Sequence, residues 1–149
     1  MRVAKTIRIV AALIQDAGGR VLLVRKKGTK AFMQPGGKLR DLESDLAALE
    51  RELGEELTCS LRPQSAAFLG RFSAPAANES GCIVDAALYR VELAGSVTAA
   101  AEIEEILWLD LEGAPGIDIA PLTEMVLCLA KKRNTATLRV WRDDGSSVQ

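Results

Sequence analysis

The chain has 149 residues, of which 48% are hydrophobic and 26% are charged, and its formal net charge at pH 7 is −1. These values fit one globular domain with a hydrophobic core, and the charge balance argues against nucleic-acid polymers, whose binding normally requires an excess of basic residues. The sequence contains no histidine, which excludes histidine-ligated zinc and Ser-His or Cys-His catalysis. Acid–base chemistry would therefore fall to carboxylates, lysine, tyrosine or a water bound to a metal.

Three cysteines, Cys59, Cys82 and Cys128, lie far apart without a Cys-x-x-Cys spacing. Their odd number and separation favour small buried side chains in a reducing compartment over a disulfide framework or a zinc site. The apolar run at residues 7–14 is interrupted by Arg8 and is too short to span a membrane. We therefore expect a cytoplasmic protein that does not associate with membranes.

The first part of the chain is predicted to form β-strands. Residues 7–14 are almost continuously apolar, which predicts a strand covered on both faces. Turn-forming residues 16–19 and the apolar residues 21–24 predict a hairpin in which a second strand returns alongside the first. Six cations follow: Arg25, Lys26, Lys27, Lys30, Lys38 and Arg40. They either bind phosphate groups or form a solvated loop, and Arg25 and Lys38 are the preferred phosphate-binding candidates.

The stretch 35–59 carries the clearest helical pattern. Leucines recur through it at helical spacing: Leu46, Leu49, Leu53 and Leu57. This periodicity predicts a helix with one buried apolar stripe. Ser44 precedes the stripe and is the expected N-cap, because a serine hydroxyl accepts a hydrogen bond from the first turn of a helix.

The same stretch is strongly acidic. Between residues 41 and 57, Arg51 is the single base among seven carboxylates: Asp41, Glu43, Asp45, Glu50, Glu52, Glu55 and Glu56. Glu52, Glu55 and Glu56 follow an i, i+3, i+4 spacing, which places them side by side on one flank of the helix. Clustered carboxylates are the hard oxygen ligands that Mg²⁺ and Mn²⁺ prefer. The alternative is an acidic face exposed to solvent.

The order of these residues resembles the Nudix hydrolase signature GX5EX7REUXEEXGU, in which U is a bulky aliphatic residue. Gly37 is followed after five residues by Glu43, and after seven more by the run Arg51-Glu52-Leu53-x-Glu55-Glu56. One position departs from the signature, because Thr58 stands where glycine is expected, and Cys59 takes the final aliphatic place. Glycine after a helix supplies a left-handed cap without steric cost, so we expect its absence to alter the helix end.

The resemblance implies an α+β fold, an α/β/α sandwich with a mixed β-sheet between helices. The domain would span residues 1–133, followed by a C-terminal extension at residues 134–149. The implied activity is hydrolysis of a nucleoside diphosphate linked to another group X, with Mg²⁺ or Mn²⁺ as cofactor. The implied metal ligands are the carbonyl of Gly37 and three carboxylates: Glu52, Glu55 and Glu56.

The resemblance also assigns supporting roles around the metal. Glu55 is a candidate for the general base that removes a proton from the attacking water. Arg51 and Glu43 would hold the loop and the helix together and orient the metal ligands.

Beyond the signature, residues 66–72 and 82–93 predict two strands joined by a turn-rich loop at residues 73–81. In this family, substrate specificity usually resides in such strands and loops. Three aromatic residues are candidates for stacking on a nucleobase, although a place in the core is the simpler interpretation: Phe32, Phe72 and Tyr89. Asn78 and Glu79 in the loop are weaker candidates.

The acidic segment 101–110 contains Trp108 and predicts another strand. By resemblance, a glutamate in this region assists a metal or a water, with Glu102 as the first candidate and Glu105 as the second. The alternative is that both are solvated glutamates beside a strand.

The C-terminal region predicts a linker at residues 115–121 and then a structural helix against the sheet. Its apolar stripe consists of Leu122, Met125, Val126 and Leu129, and it ends in three bases at residues 131–133. Residues 137–141 predict a short strand, followed by a mobile polar tail.

Two other functions remain open at this point: a Nudix-like module that senses a nucleotide without cleaving it, and a small acidic interaction domain without a ligand. The sequence also does not identify the group X. The candidate substrates are nucleoside triphosphates, ADP-ribose, dinucleoside polyphosphates and nucleotide sugars. With one short domain, we expect a small nucleotide such as a (d)NTP as the partner. The resemblance is also compatible with a homodimer.

Overall fold

The structure is a computed structural model that describes residues 5–112 and 116–143, with side chains as far as Asn134. Residues 113–115, which include the first residue of the predicted linker, and residues 144–149 of the predicted polar tail lie outside the described residues. Eight strands and two helices follow one another along the described chain: β1 (Lys5–Leu13), β2 (Val21–Lys26), β3 (Gly36–Lys38), α1 (Asp45–Leu57), β4 (Ser60–Leu61), β5 (Ala67–Pro75), β6 (Cys82–Arg90), β7 (Leu93–Ala94), β8 (Ile103–Leu109) and α2 (Pro121–Asp143).

A four-stranded sheet with the order β3-β1-β6-β5 forms the centre of the fold. Strand β1 is antiparallel to β3 and parallel to β6, so the sheet is mixed. Strands β2 and β8 pair antiparallel in a second sheet, and the short strands β4 and β7 form a third. Together with a helix on each face, this arrangement confirms the predicted α/β/α sandwich.

The predicted hairpin between the first two strands is wrong. Its turn forms, since the Gly19 N–H donates to the Asp16 carbonyl at 3.0 Å, but β2 then pairs with β8 along its whole length. Strand β1 has no free edge for β2, because β3 and β6 occupy both of its sides. Only a single bridge, from Gln15 to Val21, remains of the expected pairing.

Strand β1 is covered on both faces, as its apolar run predicts. Alternate side chains pack against α1 on one face, including Val10 and Ala12. The side chains between them, including Ala11 and Leu13, pack against α2 on the other face. Burial on both faces explains why this strand shows no alternation of apolar and polar residues.

The second helix is longer than the sequence pattern predicts. Residues 137–141, expected as a strand, lie inside α2. The reason is continuity, because no glycine or proline interrupts the chain between Leu122 and Asp143, and the strand preference of threonine and valine is weak and depends on context. No helix in the two described ranges is long and apolar enough to cross a membrane.

The apolar stripe on α2 is confirmed at Leu122 and Val126, which are buried, whereas Met125 is 40% exposed. The expectation of three buried cysteines also holds in part. Cys59 is buried, Cys82 is half-buried and Cys128 is exposed, and all three are free thiols.

Candidate active site

Helix α1 begins and ends by capping. The Ser44 hydroxyl accepts a hydrogen bond from the Ala47 N–H at 3.1 Å, which confirms the predicted N-cap. At the other end, Thr58 adopts the left-handed conformation, with φ of 56°, and its N–H donates to the Gly54 carbonyl. The helix therefore ends as it would with glycine, contrary to our expectation, and the cost is a β-carbon in a conformation that L-residues disfavour.

The buried face of α1 fixes the direction in which its carboxylates point. Leu49, Leu53 and Leu57 are fully buried against the sheet, as predicted. Leu46 is 42% exposed, because the burial of the helix begins only at Ala48. The flank beside this buried stripe carries the glutamates and borders a cavity.

Arg51 is the centre of the hydrogen-bond network at the base of α1. Its guanidinium donates two bonds of 2.8 Å to the two carboxylate oxygens of Glu43 and a third of 2.8 Å to Glu52. A fourth reaches the Lys38 carbonyl at 3.0 Å. The hydrogen bonds from Arg51 lower the pKa of Glu43 to about 2, and those to Glu43 and Glu52 raise the pKa of Arg51.

Gly37 lies directly against Glu52. A β-carbon at position 37 would overlap the Glu52 carboxylate, so glycine is required for that carboxylate to pack against the backbone of β3. Gly36 next to it has φ of +146°, and a β-carbon there would overlap the Val10 carbonyl. The two glycines therefore allow α1 and β1 to approach β3 closely.

Glu56 is the buried acid of the site, with 7% of its surface exposed. Its carboxylate accepts one hydrogen bond, of 3.1 Å, from the Gly36 N–H. Its pKa is raised to about 7, first by burial and then by the negative charges of Glu52 and Glu102, while the Gly36 hydrogen bond and the charge of Lys26 oppose the rise. A carboxyl that titrates near neutrality is a frequent mark of a functional site.

Glu102 reaches the site from a different part of the chain. The loop before β8 is tied to the end of α1, since the Ala100 N–H donates to the Glu56 carbonyl at 2.9 Å. The next residues place Glu102 on the rim of the same cavity. Glu105, the second candidate, instead pairs with Arg25 at 3.1 Å outside the cavity.

The cavity has a volume of about 480 Å³. Carboxylates of α1 and the β8 loop line one side of it: Glu52, Glu55, Glu56 and Glu102. Gly37 and the cations Lys26 and Lys38 also line it. The four predicted acids, the predicted glycine and one predicted cation are therefore brought together around a single space.

The other predicted substrate-binding residues lie elsewhere. The guanidinium of Arg25 stacks 5.9 Å from the ring of Phe32, which is buried in the core on the α2 side. The Tyr89 hydroxyl donates to Asp45 at 2.8 Å, and its ring lies 5.3 Å from that of Phe68. None of Arg25, Phe32 and Tyr89 lines the cavity, because each is engaged by neighbours in the core or at its edge.

Several residues that line the cavity were not among the main candidates predicted from the sequence. Asn78 and Glu79, considered weak, line the cavity, and Glu79 pairs with Lys38 at 3.3 Å. Gln34 and Thr123 were not considered at all, yet both line the cavity and are among the few buried polar residues. Their separation by 89 positions gave no local signal.

Comparison with known proteins decides the family. The model of the NUDIX domain matches residues 5–126, which is most of the chain. The chain belongs to the Nudix hydrolase family. The network around Arg51 and the glutamates beside it are therefore the family's box, folded as loop, helix and loop, and the chain is a Nudix pyrophosphohydrolase.

Several solved structures have the same fold. A MutT NUDIX hydrolase from Burkholderia pseudomallei is 26% identical, with a TM-score of 0.71 over 83% of this chain and 96% of its own. The E. coli ORF135 protein is 27% identical, with a TM-score of 0.67 over 90% and 94%. A MutT protein from Methanosarcina mazei Go1, at 23% identity and a TM-score of 0.70 over 90% and 99%, shares the fold. No functionally curated protein matches the chain.

Nudix enzymes generally use divalent cations, and the donor set of this box fits one. Within the described ranges, no three acidic or sulfur side chains are gathered tightly enough to hold an ion as they stand. Glu52 is bound by Arg51, Glu56 by the Gly36 N–H, and Glu55 lies 3.7 Å from Arg40. The fit rests on chemistry: Glu52, Glu55, Glu56 and Glu102 share one cavity with the backbone of Gly37, and hard oxygen donors of this kind suit Mg²⁺ and Mn²⁺.

Proposed function

We propose that this Nudix enzyme hydrolyses the diphosphate linkage of small nucleotides, (d)NTPs foremost, and that it depends on Mg²⁺ or Mn²⁺. The observation that carries the proposal is the buried acid Glu56, whose negative neighbours Glu52 and Glu102 face the same cavity. Like charges on one side of a cavity are unfavourable unless a cation joins them. A polyphosphate with its bound cation meets that requirement.

The residues that would hold the metal are Glu52, Glu55 and Glu56, with the carbonyl of Gly37. A divalent cation bound there polarises a phosphoryl group and lowers the pKa of water. Arg51 positions this set, since its guanidinium holds Glu52 and is itself fixed by Glu43. The same guanidinium binds the carbonyl of Lys38, and so it joins the helix to the strand that carries Gly37.

Two glutamates are candidates for the general base. Glu55 is about half exposed and is held only loosely, at 3.7 Å from Arg40 and 3.8 Å from Arg51. Glu102 is exposed and lines the same cavity from the loop before β8. Either carboxylate has the freedom to accept a proton from a water that attacks phosphorus, whereas Arg51 binds both oxygens of Glu43 and one oxygen of Glu52.

Two cations would bind the substrate phosphates. Lys26 and Lys38 both line the cavity, and Lys38 directly follows Gly37. The partner of Lys38, Glu79, is on the loop after β5, and both side chains are largely exposed. An exposed pair of this kind contributes little and leaves Lys38 available to a phosphate group.

The volume of the cavity bears on the size of the substrate, and the free cysteines bear on the compartment in which the protein acts. A volume of about 480 Å³ is within the range of small-molecule sites, about 300–1,000 Å³, which supports a mononucleotide in preference to a longer ligand. Three free cysteines support a reducing compartment such as the cytoplasm.

The test is release of phosphate and pyrophosphate from a panel of (d)NTPs, ADP-ribose, dinucleoside polyphosphates and nucleotide sugars. Each substrate is assayed with Mg²⁺, with Mn²⁺ and with a chelator. Metal-dependent release that is greatest with a (d)NTP is the expected result. If nucleotides raise the melting temperature but none is cleaved, the protein senses nucleotides without hydrolysing them, and the proposal fails.

A further inference from the structure

The side of the cavity opposite the carboxylates has a distinct chemistry. Three of its residues, Ile9, Val84 and Leu122, belong to one apolar cluster that also packs against Ala74 and Ala86. Among the cavity residues in the described ranges, none is aromatic. A flat ligand would therefore lie against aliphatic side chains, and its orientation would depend on the few polar groups beside them.

Gln34 is the best-defined of those polar groups. It is 6% exposed and sits just before Pro35, on the segment that links β2 to β3. Its backbone N–H donates to the Thr123 hydroxyl at 3.3 Å. The Thr123 hydroxyl in turn donates to the side-chain oxygen of Gln34, and Thr123 is completely buried in the first turn of α2.

This pair of hydrogen bonds determines which way the Gln34 amide faces. The Thr123 hydroxyl accepts the backbone N–H of Gln34 and donates its own hydrogen to the side-chain oxygen of Gln34, so the oxygen end of the amide faces Thr123. The amide nitrogen of Gln34 then points away from Thr123. Within the described ranges, no enclosed side-chain nitrogen or oxygen lacks a hydrogen-bond partner, and no protein group there binds this nitrogen. Part of its surface is therefore exposed, and Gln34 lines the cavity.

The segment that carries Gln34 is held firmly at both ends. The Phe32 N–H donates to Asp118 at 2.8 Å, and the Ala120 N–H returns a bond to Phe32 at 2.9 Å. Two residues after Gln34, the Gly36 N–H binds Glu56. Gln34 is therefore fixed relative to the metal-binding acids, which is what recognition of the far end of a substrate requires.

We propose that Gln34, oriented by Thr123, is a specificity-determining hydrogen-bond donor that selects nucleotides whose base presents a carbonyl oxygen. The inference rests on the proposed function and specifies it. Thr123 is a positioning residue, because its hydroxyl is enclosed and acts through Gln34. A base with an amino group at the same position would place a donor against a donor and would lose that hydrogen bond.

The experiment compares ITP with ATP, and UTP with CTP. In each pair, a carbonyl beside a ring N–H in the first member replaces an amino group beside an unprotonated ring nitrogen in the second. Wild-type protein is expected to favour the carbonyl member by about tenfold in kcat/KM, the ratio that one neutral hydrogen bond supplies. The preference should appear in KM with kcat unchanged, because the contact is remote from the phosphates.

Four variants separate recognition from simple packing. Gln34→Glu, which replaces the donor by an acceptor, should lose the preference, and Gln34→Met, of similar size without a donor, should bring the ratio near one. Thr123→Val should lower the ratio as Gln34→Met does, whereas Thr123→Ser, which keeps the hydroxyl, should retain it. A melting temperature near that of wild type is required of each variant compared.

Equal kcat/KM for both members of each pair in wild type, or a ratio that Gln34→Met leaves unchanged, overturns the inference. If the wild-type protein cleaves no nucleotide, the proposed function fails separately. In that case, titration of ITP and ATP into the protein with Mg²⁺ measures the same ratio from binding. Equal affinity, or no binding of either, then overturns the assignment of Gln34 as well.

Discussion

Glu43 and Glu56 belong to the same sequence signature and are in opposite electrostatic environments. Glu43 accepts two hydrogen bonds from Arg51, and its pKa is lowered to about 2. Glu56 is buried beside two other acids with one backbone hydrogen bond, and its pKa is raised to about 7. Glu43 is neutralised by Arg51 of the same chain. Glu56 instead requires a proton or a cation that is not part of the chain.

This difference separates the structural part of the box from the part that acts. Arg51 and Glu43 join the loop, the helix and β3 into one unit. The acids that face the cavity carry the unfavourable charge. Residues at active sites commonly reduce the stability of the free protein in this way, since the interactions that they need are supplied by the ligand.

The largest expected effect is on the pH dependence of the free energy of unfolding. An unfolded glutamate titrates near 4.5, whereas Glu56 in the folded protein titrates near 7. As pH rises between these values, the unfolded chain loses the proton first, so the stabilising contribution present below pH 4.5 is lost by the time pH passes 7. Without metal, the loss is on the order of 3 kcal/mol.

Urea unfolding in the presence of a chelator at pH 5 and pH 8 measures that loss. Glu56→Gln has no ionisable group at this position and should lack this part of the pH dependence. Added Mg²⁺ should raise the melting temperature of wild type more at pH 8 than at pH 6, because a proton competes with the metal at the lower pH. The same pH dependence in wild type and Glu56→Gln would contradict the account.

A second prediction concerns Arg51, which binds Glu43. Arg51→Lys keeps the charge but loses the planar fork that binds both oxygens of Glu43 and also reaches Glu52. We expect kcat/KM to fall by about 10–100-fold, the usual cost of removing a group that orients metal ligands. The melting temperature of the metal-free protein should also fall, whereas Glu56→Gln, which removes a buried charge, should not lower it at pH 8.

The matched control is Arg71→Lys, which alters an arginine that pairs with Asp85 at 3.1 Å outside the cavity. It should leave kcat/KM near the wild-type value. Equal losses in the two lysine variants would show that the fork of Arg51 has no particular role in the site.

The smallest expected effect is at the end of the helix. Thr58→Gly should stabilise the protein by about 1 kcal/mol, because it removes the β-carbon from a left-handed residue. Thr58→Ala keeps the β-carbon and should give no such gain. Urea unfolding of the two variants beside wild type measures the difference, and a glycine variant no more stable than the alanine variant would refute this explanation.

Local patterns in the sequence predicted the box well. The spacing of leucines gave the helix and its buried face, and the carboxylates beside them gave one side of the cavity. Burial of β1 on both faces was predictable from its uninterrupted apolar run. These features are determined by residues that are close together in the chain.

Features that depend on distant contacts were not predictable. Strand β2 leaves β1 for β8 because β3 and β6 already occupy both edges, which no local pattern reveals. Arg25 and Tyr89 had suitable chemistry for a substrate site, but Glu105 and Asp45 bind them elsewhere. Gln34 and Thr123 are 89 positions apart in the chain, and their hydrogen bond forms only in the folded protein.

The most direct test of the central claim is the nucleotide hydrolysis rate of Glu55→Gln, Glu56→Gln and a control, Glu50→Gln, with Mg²⁺ and Mn²⁺. Glu50 is on the same helix, but its carboxylate accepts the Leu61 N–H outside the cavity, and glutamine can keep that bond. We predict that the first two variants fold and lose more than about 100-fold in kcat/KM, while the control keeps its activity. Wild-type rates in both Glu55→Gln and Glu56→Gln would contradict the account.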